Sequence, residues 1–228
     1  PYEFYSDSAM TQFAGIDVEV AKYIAEYIGV DLVIEPMSFD ACQTAVYTAS
    51  VPMSVSGYVW TEERAESYEI SDYYYDGDNK IEPVILIRTA DEEKYTSSED
   101  FNGVDIGAQN ASLQMQLVTS QLPDANPVAV GDVGTGVLEL QNGSIEALAV
   151  AKGNAEIIMD ANPDLVLCPW EFTITEETEA FVILITKGET ALLNVVNEAL
   201  AKAYSEGMYG AWHDEAVALA KVVNGTEE

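Results

Sequence analysis

Basic residues are scarce in this sequence. Its 228 residues include 9 lysines and arginines and one histidine against 40 aspartates and glutamates, which gives a net charge of −31. With so few cations to neutralise phosphates, we expect the chain to bind neither nucleic acid nor a membrane surface through a polybasic segment. We interpret the acidic excess as a solvated surface that keeps the protein soluble. The alternative, a calcium-collecting surface, lacks carboxylates at the spacing of a calcium loop.

Cysteine and histidine are too rare for several kinds of site. The cysteines, Cys42 and Cys168, do not make a disulfide framework. Together with His213 they fall short of the usual ligand set of zinc. No Gly-x-Ser-x-Gly turn accompanies the histidine to favour a serine nucleophile. We therefore expect neither a metal nor a cofactor.

Long apolar runs are missing as well. No stretch approaches the roughly 18 to 20 uncharged apolar residues of a membrane-spanning helix, and no signal peptide is recognisable. Hydrophobic residues nevertheless make up 48% of the chain, which is enough to bury a sizeable core. The sequence as it stands predicts a soluble, mature or trimmed domain.

The hydrophobic pattern that is present alternates between helix and strand. Asp17–Ile28 and Glu189–Glu206 carry apolar residues at helical spacing, and Val30–Glu35 is typical of a strand. Two unbroken apolar runs, Pro83–Ile87 and Phe181–Ile185, are typical of strands buried on both faces. Alternation of this kind predicts parallel α/β sheets.

The two apolar runs also predict the domain organisation, because they bracket a block of about a hundred residues, the size of a small domain. We predict one lobe from residues 1–83 and 182–228 and a second lobe from residues 84–181, inserted in the first and joined to it by two strands. A ligand is then expected in the cleft between the lobes. Cys42 and Cys168 fall in different lobes and are predicted not to be bonded to each other.

Short motifs occur along the chain in a recognisable order. They are Pro1–Phe4, Gly15–Lys22, Pro36–Asp40, Ser56–Gly57, Thr61–Arg64, Ser71–Tyr75, Glu99–Gly103 and Val196–Leu200. Taken together, they resemble the family 3 extracellular solute-binding proteins, the periplasmic-type substrate-binding proteins of polar amino-acid ABC transporters. The resemblance covers nearly the whole chain and is strongest from Ser56 to Tyr74.

The resemblance implies a fold and a function. The fold is α/β, two-lobed, of the type II periplasmic-binding-protein kind with a two-strand hinge. The function is extracytoplasmic capture of a small carboxylate-bearing ligand, an amino acid or a related compound, for delivery to an ABC permease in the membrane. The protein is then expected to be bacterial, monomeric and lipid-anchored in its full-length precursor.

Two other functions stay open at this point. The same kind of fold serves as the ligand-sensing extracellular domain of membrane receptors. A few relatives of the fold are dehydratases, which need a carboxylic acid of raised pKa in the cleft as general acid. The sequence identifies no such acid, so the solute-binding function is favoured over both alternatives.

The family motif Thr-x-x-Arg implies that Arg64 grips the ligand carboxylate. A guanidinium meets a carboxylate in a bidentate fork that a lysine does not reproduce. The alternative for this arginine is an ion pair on the protein surface with one of the neighbouring acids Glu62, Glu63 and Glu66.

Backbone groups complete the implied carboxylate site. Ser56 and Gly57 match the family position where hydroxyl and backbone meet the ligand, since glycine permits close approach; the alternative is a turn at the end of a strand. Ser112, with Asn110 and Ala111 before it, opens a helix whose free N–H groups suit an anion. The alternative for Ser112 is a simple helix cap.

Aromatic residues are implied as the walls of the site. Phe39 matches a position that covers the ligand side chain, although a plain core position is the alternative. Tyr2 falls near a second aromatic wall.

The sequence departs from the family on the ammonium side of the site. Ala151 stands where amino-acid binders of the family carry an aspartate for the ligand ammonium, and Val59 replaces a usual hydroxyl. Glu179 and Glu146 are candidate substitutes. We therefore expect the carboxylate half of the site to be kept and the ammonium half to be lost or moved.

Overall fold

The protein is described by a computed structural model that covers residues 2–7, 11–74, 82–174 and 180–223. The chain divides into two compact units. The first unit comprises Pro1–Met37, Ala41–Lys80 and Thr175–Glu228, and the second comprises Ser38–Asp40 and Ile81–Ile174.

Strands and helices alternate along the described residues. In chain order they are β1 (Phe4–Tyr5), β2 (Phe13–Ala14), α1 (Ile16–Ile28), α2 (Phe39–Tyr47), β3 (Met53–Val59), α3 (Glu62–Ser67), β4 (Glu69–Ile70), β5 (Pro83–Arg88), β6 (Asp105–Gln109), α4 (Leu113–Gln121), β7 (Asn126–Val130), α5 (Val133–Asn142), β8 (Ala147–Ala151), α6 (Lys152–Ala161), β9 (Leu165–Leu167), β10 (Phe181–Ile185), α7 (Thr190–Ser205) and α8 (Met208–Val223).

The first unit contains a three-stranded sheet in the order β3-β10-β4. Strand β10 runs antiparallel to both of its neighbours. Strands β3 and β4 therefore share one direction, as expected for two strands joined by helix α3. The prediction of a parallel sheet is wrong for this unit because β10 enters between the two strands from the opposite end.

The second unit contains a five-stranded sheet in the order β7-β6-β8-β5-β9. Strand β6 is parallel to β7 and β8, as predicted, whereas β5 is antiparallel to β8 and β9. Strands β8 and β9, which helix α6 connects, are thus separated by a strand of opposite direction. The sheet is mixed, so the parallel prediction holds only for its β7-β6-β8 part.

Both unbroken apolar runs are buried strands, as predicted. All five residues of β10 are buried. In β5, Ile85 and Ile87 enter one hydrophobic cluster and Leu86 enters another. Because neighbouring side chains of a strand point to opposite faces, the sheet of the second unit has a core on each side.

One predicted strand is absent from the structure. Residues 30–35 are described and form no strand, and Val30 and Val33 are 57% and 78% exposed. No described strand pairs with this segment. An apolar, β-branched segment becomes a strand only where a neighbour accepts its backbone hydrogen bonds.

The cysteines are not disulfide-bonded to each other, as predicted. The buried Cys168 donates its Sγ hydrogen to the Tyr95 carbonyl over 3.3 Å. Within the described ranges, no helix combines the length and apolarity that crossing a bilayer requires. The same ranges hold no group of three or more histidine, cysteine and acidic side chains arranged to bind a metal.

Candidate functional site

Arg64 is buried in the first unit, with 5% of its surface exposed. Helix α3 begins after Thr61, whose hydroxyl accepts a hydrogen bond from the Arg64 N–H over 3.2 Å. The guanidinium Nη1 donates to the Val59 carbonyl over 2.8 Å, and its Cζ lies 5.4 Å from the centroid of the Tyr58 ring. Burial lowers the pKa of Arg64 from its ordinary value. These contacts fix the direction of the guanidinium.

This burial contradicts the alternative interpretation of Arg64 as part of an ion pair on the surface. The neighbouring Glu62, Glu63 and Glu66 are exposed, whereas the arginine is not. A buried guanidinium is costly unless an anion compensates it. A carboxylate matches the fork of a guanidinium as that anion.

Ser56 and Gly57 lie within strand β3, which continues to Val59. The alternative of a turn at the strand end is therefore wrong. The pairing of β3 with β10 is irregular here: Tyr58 faces Val182 and Ser54 faces Leu184, so three residues of β3 oppose one of β10. Bulges of this kind redirect side chains and are frequent beside functional sites. Gly57 has a φ of +57°, a conformation that favours glycine.

Phe181 at the start of β10 joins several residues of this region. A Cβ on Gly57 would lie 3.4 Å from the Phe181 ring. The Tyr2 ring packs edge-on against that ring at a centroid distance of 4.9 Å, and Tyr74 stacks on it at 5.9 Å. Tyr2 and Gly57 thus both lie against the Phe181 ring.

Two acids of this region were missed by the sequence analysis. Ser56 Oγ donates a hydrogen bond to the carboxylate of the exposed Glu3. Asp17 is only 2% exposed, and its Oδ1 accepts a hydrogen bond from the Tyr74 hydroxyl over 2.7 Å. Burial, with the charge of Glu3 as the next cause, raises the pKa of Asp17 well above the ordinary 3.8. A signal existed, because Asp17 lies between apolar residues at the start of an amphipathic helix.

Phe39 is half-buried at the first position of α2. Its partial burial fits an aromatic wall as well as the edge of a core, so both interpretations stay open.

In the second unit, Ser112 is the N-cap of α4 and is 3% exposed. Its Oγ accepts a hydrogen bond from the Met115 N–H over 3.1 Å, so the helix-cap role is confirmed. Ala111 before it has a φ of +58°, which is uncommon for a residue with a side chain. Asn110 is exposed.

Ala151 ends strand β8 and is half-buried. Strands β6 and β8 are parallel neighbours, so Ala151 and Asn110, which follows β6, lie at the same edge of the sheet. Of the predicted acidic substitutes, Glu146 accepts a hydrogen bond from the Asp105 N–H over 2.9 Å, which commits it to the start of β6. Glu179 lies outside the described residues.

The family model for bacterial extracellular solute-binding proteins, family 3, matches residues 1–216 of this chain. The chain belongs to this family. Its fold is accordingly the two-lobe α/β fold of type II periplasmic binding proteins.

Several known proteins are similar to this family 3 protein over most of its length. A probable histidine-binding protein of Campylobacter jejuni is 25% identical over 210 residues, which cover 92% of this chain and 77% of the relative. A putative ABC transporter arginine-binding protein of Escherichia coli is 24% identical, covering 90% and 82%. A crystal structure of an amino acid ABC transporter substrate-binding protein from Streptococcus pneumoniae, bound to L-arginine, has a TM-score of 0.86 and 29% identity, covering 96% of this chain and 89% of that one.

The electrostatics of the first unit of this family 3 protein divide into two neighbouring parts. The guanidinium of Arg64 offers donors for an anion. The carboxylate of the exposed Glu3 offers negative charge for a cation. A ligand that carries both charges, as a free amino acid does, matches this pair of environments.

Proposed function

We propose that this protein captures a free amino acid outside the cytoplasm and that Arg64 holds the ligand carboxylate. The observation that carries the proposal is the burial of this guanidinium beside the bulge at Gly57, with its direction fixed by Val59 and Tyr58. A carboxylate compensates such a charge through a bidentate fork. Relatives named for histidine and arginine binding support an amino acid as the ligand class.

Glu3 takes over part of the ammonium recognition in this proposal. Ala151 presents no charge at the position of the family aspartate, whereas Glu3 is an exposed carboxylate in contact with Ser56. A carboxylate pairs with an ammonium or guanidinium group. Tyr2 and Phe39 then border the ligand as aromatic walls, and the residues carried over in the second unit are Asn110, Ser112 and Ala151.

The wider setting of the proposal follows from the family. The protein delivers its ligand to an ABC permease, acts as a monomer and is lipid-anchored in its precursor. The lobes are proposed as residues 1–83 with 182–228 and residues 84–181. Closure favoured by ligand contacts is the ordinary behaviour of such folds.

We further propose that the ligand leaves unchanged, so the protein is not an enzyme. A dehydratase needs a general acid of raised pKa that reaches its substrate. Asp17 has the raised pKa, but it is only 2% exposed. The receptor-sensor alternative differs in what the fold is attached to and shares the same binding chemistry.

A thermal-shift panel tests the ligand class. The purified protein is heated with L-arginine, L-histidine, L-glutamine or L-cystine, and with putrescine, which lacks a carboxylate. We expect at least one amino acid to raise the melting temperature, because a ligand that binds only the folded state stabilises it, and we expect putrescine to leave it unchanged. A shift with putrescine alone would contradict the carboxylate site.

A further inference from the structure

Asp17 is a buried acid whose hydrogen bonds are incomplete. Its Oδ1 accepts from the Tyr74 hydroxyl over 2.7 Å. Its Oδ2 is buried and meets no hydrogen-bond partner among the residues that the structure describes. Its own N–H donates to the Tyr2 carbonyl over 3.0 Å, so the segment that carries Glu3 lies directly against the start of α1.

Among the residues that the structure describes, the groups that face Asp17 provide no compensating cation. They are the carboxyl group of Glu3, which raises the pKa of Asp17, and the Tyr74 phenol and Gly57 backbone, whose hydrogen bonds lower it by less than burial and Glu3 raise it. Helices α7 and α8 also pack on α1. Glu198 in α7 accepts a hydrogen bond from Tyr27, and Glu206, which follows α7, accepts one from Tyr23. Both tyrosines lie further along α1 than Asp17.

Glu3 raises the pKa of Asp17 through its charge and through a side-chain hydrogen bond, and the hydrogen bond from the Asp17 N–H to the Tyr2 carbonyl holds residue 3 beside the start of α1. Two ionised carboxylates are both acceptors, so a contact between them is a hydrogen bond only when one of them carries a proton. Like charges at such close range do not both ionise. The more buried acid of such a pair keeps the proton, since burial disfavours the charged form.

We propose that Asp17 is a neutral carboxylic acid at neutral pH and that its Oδ2 donates this proton to Glu3. Asp17 is thereby a positioning residue: it holds the Glu3 carboxylate where that group accepts from Ser56. The proposed proton completes the hydrogen bonding of Oδ2, and Oδ1 remains the acceptor of the Tyr74 hydroxyl. The raised pKa of Asp17 is consistent with this assignment.

The pH dependence of folding stability tests the proton without any ligand. In Asp17→Asn, the amide reproduces the neutral acid, with one acceptor for Tyr74 and one donor for Glu3. A folded-state pKa above the unfolded value of 3.8 means that the wild type loses stability as pH rises from the unfolded pKa to the folded one.

The measurement is urea unfolding of the wild type and Asp17→Asn from about pH 4 to about pH 9. We expect the unfolding constant of the wild type, divided by that of Asp17→Asn, to rise about tenfold per pH unit above about pH 4 until the folded pKa is reached. A ratio that stays constant over this range would overturn the proposal.

Two further variants calibrate the profile. Glu3→Gln changes an exposed residue and removes the negative charge that acts on Asp17. The folded-state pKa of Asp17 should then be lower, so the rise in the unfolding constant should end at a lower pH than in the wild type. An unmoved end point would contradict the pairing of Asp17 with Glu3.

Asp100→Asn is the matched control. Hydrogen bonds from Thr96 and Ser97 lower the pKa of Asp100. The unfolding constant of the wild type divided by that of Asp100→Asn should therefore not change with pH above about pH 5.

The positioning role rests on the proposed function and has its own test. Asp17→Asn should keep the affinity of the wild type for L-arginine, whereas Asp17→Ala should lose about tenfold, the value of one hydrogen bond. An asparagine variant as weak as the alanine variant would overturn the positioning role. A wild type that binds no amino acid would overturn the proposed function, and the unfolding profile would still decide whether Asp17 is protonated.

Discussion

Within the described residues, each unit of this protein buries one aspartate, and the two aspartates have opposite surroundings. Asp91 in the second unit is 5% exposed, accepts from Arg88 Nε over 2.9 Å and forms an ion pair with Lys94. The hydrogen bond from Lys94 and the charge of Arg88 lower its pKa. Asp17 in the first unit faces Glu3 instead, and its pKa is raised. The second unit pairs its buried acid with cations, whereas the first leaves the charge of Glu3 beside residues that we propose as ligand contacts.

The only two arginines of the chain follow the same division. Arg88 Nη1 donates to the carbonyls of Leu140, over 2.7 Å, and Ile145, over 3.1 Å, so it joins β5 to the end of α5 and the residues after it. Arg64 is the residue that we propose as the partner of the ligand carboxylate. Arginine therefore stabilises the fold in the second unit, whereas in the proposed function it binds the ligand in the first.

The largest expected effect is the loss of binding in Arg64→Ala. Removing one partner of a buried charge pair costs on the order of 2 to 5 kcal/mol, which corresponds to about 30-fold or more in affinity. Arg64→Lys should recover only part of this loss because the fork geometry is missing. Calorimetric titration with L-arginine measures both variants.

The control for Arg64→Ala is Glu66→Gln, an exposed change on the same helix that should leave the affinity unaltered. Equal affinities of Arg64→Ala and the wild type would place the ligand carboxylate elsewhere.

A smaller effect, on stability, is expected in Arg88→Ala. The substitution removes hydrogen bonds of a charged group to Asp91, Leu140 and Ile145, for a loss of about 2 to 3 kcal/mol in the free energy of unfolding. Urea unfolding measures the loss. The affinity for L-arginine should be unchanged where the variant is folded, and a weakened affinity there would break the division between the two arginines.

The smallest effect is expected in Asp91→Asn, with a loss of about 1 kcal/mol at neutral pH. Because the folded-state pKa of Asp91 is lowered, its contribution is present above the unfolded value of 3.8 and is lost as pH falls towards the folded pKa. The difference in unfolding free energy between wild type and variant should therefore shrink in acid. A difference that grows in acid would contradict the contrast with Asp17.

Local patterns in the sequence predicted most elements of the fold. The amphipathic spacing of α1 and α7 and the continuous apolar runs of β5 and β10 each depend on neighbouring residues alone. Strand direction was not predictable in this way: β5 and β10 each enter antiparallel between two strands that a helix connects, and that pairing depends on where a distant part of the chain returns. Residues 30–35 failed for the same reason, since a strand needs a partner.

The candidate site was predictable only in part. Arg64, Ser56 and Gly57 were proposed from the resemblance to a family, but the sequence alone did not distinguish a buried guanidinium from an exposed ion pair. The influence of Glu3 on Asp17 was missed because it depends on how residues 2–3 pack against the start of α1. Gly15 permits that packing, since a Cβ there would lie 2.1 Å from the Tyr2 carbonyl oxygen.

The central claim is that a buried guanidinium in the first unit recognises the carboxylate of an amino acid. Calorimetric titration of the wild type with L-arginine and with L-arginine methyl ester tests it most directly, because the ester keeps the amino group and the side chain while losing the negative charge. The account predicts binding of the free acid and a loss of about 30-fold or more for the ester. Equal affinities for the two compounds would contradict it.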